Sequence, residues 1–169
     1  VHLAGWPCDM PLIMDYANKN NLYAIEDCAQ AHGASIDKKK VGSWGDVSAF
    51  SFCQDKIMTT GGEGGMVTTN NKELWKKAWS YKDHGKSYNS VYYKKHPPGF
   101  RWLHESIGTN WRMTEMQAAI GRIQLTKLDC WLSLRNRFAK IYRDFFSQYE
   151  IFCTTKEPAN IYHAYYKFY

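Results

Sequence analysis

Lys56 stands between an apolar run and a glycine-rich turn. Ser48-Ala49-Phe50-Ser51-Phe52 leads into Cys53-Gln54-Asp55-Lys56, and Gly61-Gly62-Glu63-Gly64-Gly65 follows after Ile57 to Thr60. A lysine delivered by a rigid strand, beside backbone that can approach a ligand closely, suits an imine between its amine and an aldehyde. Upstream, Ala24-Ile25-Glu26-Asp27 reads as a strand ending in a carboxylate, followed by Ala29-Gln30-Ala31-His32-Gly33. An acid at the carboxyl end of a strand is what the protonated ring nitrogen of an aldehyde cofactor needs. Each residue also has an ordinary reading. A lone lysine is exposed by default, and an aspartate such as Asp27 favours turns and caps. Ser51 can equally be a satisfied core hydroxyl, and the glycines can serve a tight turn alone. His32 reads as a hydrogen-bonded structural histidine, and His84 as a cation at a helix C-terminus.

The elements that must position these residues follow from pattern and punctuation. A strand over 1–5 is broken at Pro7-Cys8-Asp9, and Asp9 caps a helix over 10–20 whose Leu12, Ile13, Tyr16 and Ala17 share a face. A strand over 22–26 completes a strand–helix–strand unit, which predicts a parallel sheet. Lys38-Lys39-Lys40 falls in a solvated hairpin turn between Ile36 and Val41. Strands over 47–52 and 66–69 bracket the lysine and the glycines. Asn70 starts a helix with Glu73 at the capping-box position, ending near His84-Gly85. The stretch 85–113 lacks periodicity and carries Tyr88, Tyr92, Tyr93, Phe100, Trp102 and Trp111. A loop of that length predicts function or an interface, and its aromatics most simply pack between subunits. Thr114-Glu115-Met116-Gln117 is a capping box opening a helix, further helical pattern runs from Leu132 to Phe145, and 163–169 reads as a closing strand. The sheet-bearing part gives way to helices within 125–130.

Composition narrows the classes. The 169 residues suffice for one ordinary domain, and 44% hydrophobic with 22% charged residues excludes a disordered chain. No apolar run is long enough to cross a bilayer, so no membrane partner is expected. Signal-peptide pattern is absent as well. Both ends read as strands already under way, which predicts an internal piece of something longer. Cys8, Cys28, Cys53, Cys130 and Cys153 are widely spaced without a C-x-x-C pair. That argues against a disulfide framework and a zinc ribbon, and predicts a reducing cytoplasm. Histidine spacing supports no metal site. A net charge of +6 suits phosphates or nucleotides. It is spread along the chain and accompanies no nucleic-acid motif, so no nucleic-acid partner is expected.

Taken in order, Glu26-Asp27-Cys28-Ala29-Gln30-Ala31-His32-Gly33-Ala34, Gly42-Ser43-Trp44-Gly45-Asp46, Phe50-Ser51-Phe52, Lys56, Gly62-Glu63-Gly64-Gly65 and Gly108-Thr109-Asn110-Trp111-Arg112-Met113 form a set of spaced motifs. Over nearly its whole length the chain resembles the DegT/DnrJ/EryC1/StrS family of sugar aminotransferases. The resemblance implies an α/β fold, part of the large domain of a pyridoxal-phosphate-dependent transferase of the aspartate-aminotransferase type (fold type I), with helices leading into the small domain. Residues 1–125 would be the C-terminal part of the cofactor-binding large domain and 126–169 the start of the small one. Lys56 matches the Schiff-base lysine, Asp27 the partner of the pyridine nitrogen, and Gln30 a neighbour of the ring hydroxyl. Ala29 is small enough to let the ring lie flat. Ser51 matches a phosphate ligand, and Asn110 a residue reaching the cofactor phosphate of the neighbouring subunit in a homodimer with shared active sites. Arg112 would hold a carboxylate or phosphate. The implied activity moves an amino group from an amino acid, L-glutamate in the family's usual case, to a nucleotide-linked keto-sugar. Sugar dehydratases of the same fold carry histidine in place of the lysine, so Lys56 argues against that reading. A noncatalytic dimerising piece of such an enzyme is the other alternative. Cys53 stands where many relatives have histidine or an aromatic residue, and reads as packing. The family's glycine-threonine phosphate turn and ring-stacking aromatic would precede Val1.

Overall fold

The computed structural model describes residues 1–169, and four of its five α-helices begin where a side chain takes up a free N–H group. Helix α1 (Met10–Lys19) opens on Asp9, whose carboxylate accepts from the Leu12 N–H, with Pro11 in the first turn. Helix α2 (Lys72–Lys82) is capped by Asn71 rather than Asn70, and the Asn71 side chain accepts from the N–H groups of Glu73 and Leu74. Glu73 therefore lies too early to close a capping box and pairs with Lys76 instead. A short helix α3 (Tyr88–Tyr92) occupies the stretch expected to lack elements. Tyr88 meets Trp75 and Trp79 edge-on at ring separations of 5.0 and 5.3 Å, so several of those aromatics pack within one chain against α2. Helix α4 (Glu115–Leu125) has the full Thr114–Gln117 capping box. Helix α5 (Leu128–Phe146) follows directly.

One sheet orders strands β1 (Ile25–Asp27), β4 (Val47–Ser51) and β5 (Gly65–Thr68), the first pair parallel and the second antiparallel. The other joins β2 (Ser35–Ile36) to β3 (Lys39–Lys40) and to β6 (Ile161–Tyr162), all antiparallel. The lysine-rich turn is a hairpin as expected, with Asp37 and Lys38 at φ 47° and 66° matching its two-residue tip.

Three strand expectations fail for conformational reasons. The opening residues form a 3₁₀ turn at Leu3–Gly5, because Ala4 (φ 57°) and Gly5 (φ 96°) leave the extended region. No strand–helix–strand unit precedes Asp27; β1 finds its parallel partner in β4, and the crossover carries the hairpin instead of a helix. At the other end only Ile161–Tyr162 pairs, and Tyr165 (φ 46°) turns the chain away. The sheet is accordingly mixed rather than parallel.

Cys28, Ala31, Ala34, Val41, Ile57, Leu132 and Ala164 form one buried cluster, with Phe50, Leu128, Tyr162 and Tyr166 packed against it. Small residues at its centre allow α5 to lie close to the segment after β1. The architecture is α/β, and no helix is long and apolar enough to cross a membrane.

Candidate active site

Parallel pairing sets the geometry. Asp27 is in register with Ala49, so the carboxyl ends of β1 and β4 share one sheet edge, with Asp27 and Ser51 as their last residues. Asp27 is exposed there, and its Oδ1 accepts from the Ala29 N–H at 3.0 Å while Oδ2 takes no bond from the protein. Gln30 is held by its Oε1, which accepts from the Ala4 N–H at 2.7 Å, leaving the carboxamide N–H groups available. Ser51 Oγ accepts from the Cys53 N–H at 3.4 Å, so its own proton remains free to donate. Behind this edge His32 is buried beside Phe50 and Phe52, and its Nε2 donates to the Ser51 carbonyl at 2.8 Å. Burial pushes the His32 imidazole down to about 4, against the pull of that bond, so it stays neutral. His32 is thus structural, supporting the strand end from below.

Lys56 rides on a closed loop. The Phe52 N–H donates to the Gly64 carbonyl and the Phe52 carbonyl accepts from Thr60 N–H and Thr59 Oγ1. Ile57 and Met58 are buried and anchor the loop from within. Gly61, at φ 83°, makes the turn that L-residues resist. Helix α4 clamps the loop from outside: Gln124 Oε1 accepts from the Thr59 N–H at 2.7 Å, and Gln117 Nε2 donates to the Glu63 carbonyl at 2.8 Å. Lys56 itself is half-buried and lines a cavity of about 550 Å³ together with Trp131, Arg135, Phe138 and Gln124. Its Nζ lies 5.0 Å from the centre of the Tyr166 ring. Gln117 is signalled by its spacing only as a capping-box residue, and Gln124 and Tyr166 are not signalled at all.

Asn110 and Arg112 form a separate group at the end of α2. Arg112 Nε donates to Asn110 Oδ1 at 2.9 Å and lies 3.6 Å from Asp83 Oδ1, and Nη2 reaches His84 Nε2 at 3.4 Å. His84 follows the Asp83 C-cap and adopts φ 58°, the left-handed conformation that commonly ends a helix. No hydrogen bond or ion pair joins Asn110 or Arg112 to Asp27, Ser51 or Lys56 within the protomer.

His2, Glu26 and Cys28 also lie together and could be mistaken for a metal site. Glu26 is already saturated. Oε1 accepts from Trp44 N–H, Gly45 N–H and Ser48 Oγ, and Oε2 from Gly42 N–H and His2 Nε2. No lone pair remains for an ion.

An α/β protein thus carries an exposed carboxylate, a small neighbour and an available hydroxyl at one sheet edge, and a half-buried lysine on the loop that follows β4. The chain belongs to the DegT/DnrJ/EryC1/StrS aminotransferase family, whose family model matches residues 1–169. It is 40% identical over 165 residues to the GDP-perosamine synthase of Escherichia coli O157:H7, covering 98% of this chain and 42% of that protein. It is 37% identical over 142 residues to the dTDP-3-amino-3,4,6-trideoxy-alpha-D-glucose transaminase of Streptomyces venezuelae, covering 84% of this chain and 34% of that protein. The crystal structure of an aminotransferase from Psychrobacter cryohalolentis superposes with a TM-score of 0.92 at 58% identity, over 98% of this chain and 44% of that one. The chain therefore spans about two-fifths of the length of the relatives it matches. The donor set at the sheet edge has the residue types that an aldehyde cofactor with a ring nitrogen and a phosphate would need: a carboxylate with one uncommitted oxygen and a hydroxyl with a free proton.

Proposed function

We propose that the complete protein is a pyridoxal-phosphate-dependent aminotransferase that moves an amino group from an amino acid, L-glutamate, to a nucleotide-linked keto-sugar. The observation that carries this reading is the β1–β4 register, which sets Asp27 and Ser51 at one edge beside the loop bearing Lys56. When bound, the cofactor supplies an electron sink conjugated to the transferred nitrogen. Asp27 holds a proton on the ring nitrogen through its uncommitted oxygen. Lys56 would hold the cofactor through its Nζ, and once an amino donor takes that place the free Lys56 amine would be the base that moves a proton at the reacting carbon. Ala29 leaves room for the flat ring, a Gln30 carboxamide N–H donates to the ring hydroxyl, and Ser51 Oγ donates to the phosphate.

Asn110 completes the phosphate site of a second copy across a homodimer, and the Arg112 guanidinium holds a carboxylate or phosphate of a substrate. Within one protomer their bonds go to each other, to Asp83 and to His84, and none goes to Lys56, which supports that division of labour. The substrate class is supported by relatives named for GDP- and dTDP-linked sugars and by a net charge of +6, suited to a diphosphate. Residues 1–125 would belong to the large domain and 126–169 would begin the small one, with the joint between α4 and α5, while Leu132, Ala164 and β6 still pack on the core and sheet of the first part. Five free cysteines support a cytoplasmic setting.

Lys56→Ala in the full-length protein is the test. Turnover of nucleotide keto-sugars with glutamate should fall below detection, and the absorption band of lysine-bound cofactor should vanish. Turnover that survives the substitution would overturn the mechanism.

A further inference from the structure

Asp55 precedes Lys56 in the chain, yet the two form no ion pair. Both oxygens of the Asp55 carboxylate are committed elsewhere: Tyr166 Oη donates to Oδ2 at 2.7 Å and Cys53 Sγ donates to Oδ1 at 2.8 Å. The same tyrosine presents its ring to the lysine, 5.0 Å from Nζ. Resting on the function proposed above, we propose that Tyr166 is a positioning residue that keeps Asp55 off Lys56 and leaves the lysine amine free to react.

The tyrosine is fixed well enough to do this. It is partly buried and packs against the seven-residue core cluster. Flanking backbone is pinned as well, since the Lys167 N–H donates to the Ala4 carbonyl at 3.2 Å and the Tyr165 carbonyl accepts from Arg135 Nη1 at 2.9 Å. Hydrogen bonds from Cys53 and then Tyr166 hold the Asp55 carboxyl below its ordinary value, and the same bond raises the Tyr166 hydroxyl. Asp55 is therefore a full negative charge one residue from Lys56. Released from the Tyr166 hydroxyl, its Oδ2 could swing onto the ammonium and withhold the amine's lone pair. Other charged or titratable groups around the lysine do not substitute for it. His32 is neutral, Arg135 is a cation in the same cavity, and Lys167 lies 5.8 Å from the same ring.

The test is site-resolved acylation of Lys56 in the cofactor-free full-length protein, followed by peptide mass spectrometry. Tyr166→Phe keeps the ring and removes the hydroxyl, and the Lys56 rate is expected to fall roughly three- to fivefold as the exposed ion pair forms. Asp55→Asn added to Tyr166→Phe removes the carboxylate and should restore the wild-type rate, a rescue that a merely structural role would not give. An unchanged or faster rate in Tyr166→Phe, or a double variant no faster than the single one, overturns the proposal. Acylation needs no cofactor and no substrate. Failure of the aminotransferase reading would show as turnover surviving Lys56→Ala and would leave this result standing.

Discussion

A carboxylate can stay ionised inside this fold because five donors converge on Glu26, from His2, Gly42, Trp44, Gly45 and Ser48. Burial alone would raise its pKa, but the His2 bond and then the N–H groups of Gly45, Gly42 and Trp44 hold it at about 2, against an ordinary 4.5. A depressed carboxyl contributes stability that is complete above pH 4.5 and is lost as pH falls through about 2. His32 and His163 are each pushed by burial from 6.5 to about 4, so their share is complete above 6.5 and lost as pH falls through about 4. Acid weakening should therefore come in two stages, histidines first and Glu26 second. Urea midpoints of the full-length protein, measured from neutral pH down to about pH 2, would display both. Glu26→Gln should lose the lower stage and, by setting an amide N–H against backbone donors, should already cost about 3 kcal/mol at neutral pH. An unaltered profile below pH 4.5 in that variant would refute the assignment. The sequence exposes Lys56, Asp27 and Ser51 because strand ends and glycines mark them locally. It hides Tyr166, whose bond to Asp55 spans 111 positions, since nothing local records a contact made by folding.

At the scale of elements, the lysine loop keeps its shape because α4 can lie directly on it. Gly121 is buried at that contact, and a Cβ there would stand 2.9 Å from Thr60 Cγ2. Alanine would gain helix propensity of about 1 kcal/mol while forcing a shift at Thr60. Valine cannot be accommodated without moving the loop. Gly121→Val should destabilise the protein by about 2 kcal/mol through overpacking and weaken pyridoxal phosphate binding by displacing Lys56. Thermal unfolding and spectroscopic titration with the cofactor would measure the two effects; binding unchanged beside lowered stability would show that the loop does not depend on α4. The Thr114 capping box makes α4 legible in advance, and Asp9 does the same for α1, because caps are written in adjacent residues. Residues 1–5 mislead for the converse reason. Val1-His2-Leu3-Ala4 alternates like a strand, but Ala4 is bent to positive φ so that its N–H meets Gln30, a partner far along the chain. The β1–β4 pairing is illegible in the same way, being a choice among strands that only the assembled core makes.

For the whole molecule, the proposed site residues fall into two groups that no hydrogen bond or ion pair joins within one protomer. Lys56, Asp27 and Ser51 face one sheet edge, while Asn110 and Arg112 are bound to each other and to Asp83 and His84 at the end of α2. A site assembled across a two-fold axis would draw the first group from one subunit and the second from its partner. That arrangement makes a prediction that a self-contained site does not. Full-length Lys56→Ala and Asn110→Ala proteins should each be impaired as homodimers, the first without turnover and the second with weakened cofactor binding. Co-expressed in equal amounts, they form mixed dimers in which one site receives both defects and the other receives none. With random pairing half of the dimers are mixed, so about a quarter of all sites should be wild type. Turnover of the mixture should approach about a quarter of the wild-type value, above the mean of the separate homodimers if Asn110→Ala retains little activity. Purifying mixed dimers with two different affinity tags raises the expected value to about half. If the tagged mixed dimer has only the mean activity of the two parents, Asn110 serves the site of its own chain, and the shared-site reading fails while the assignment of Lys56 stands.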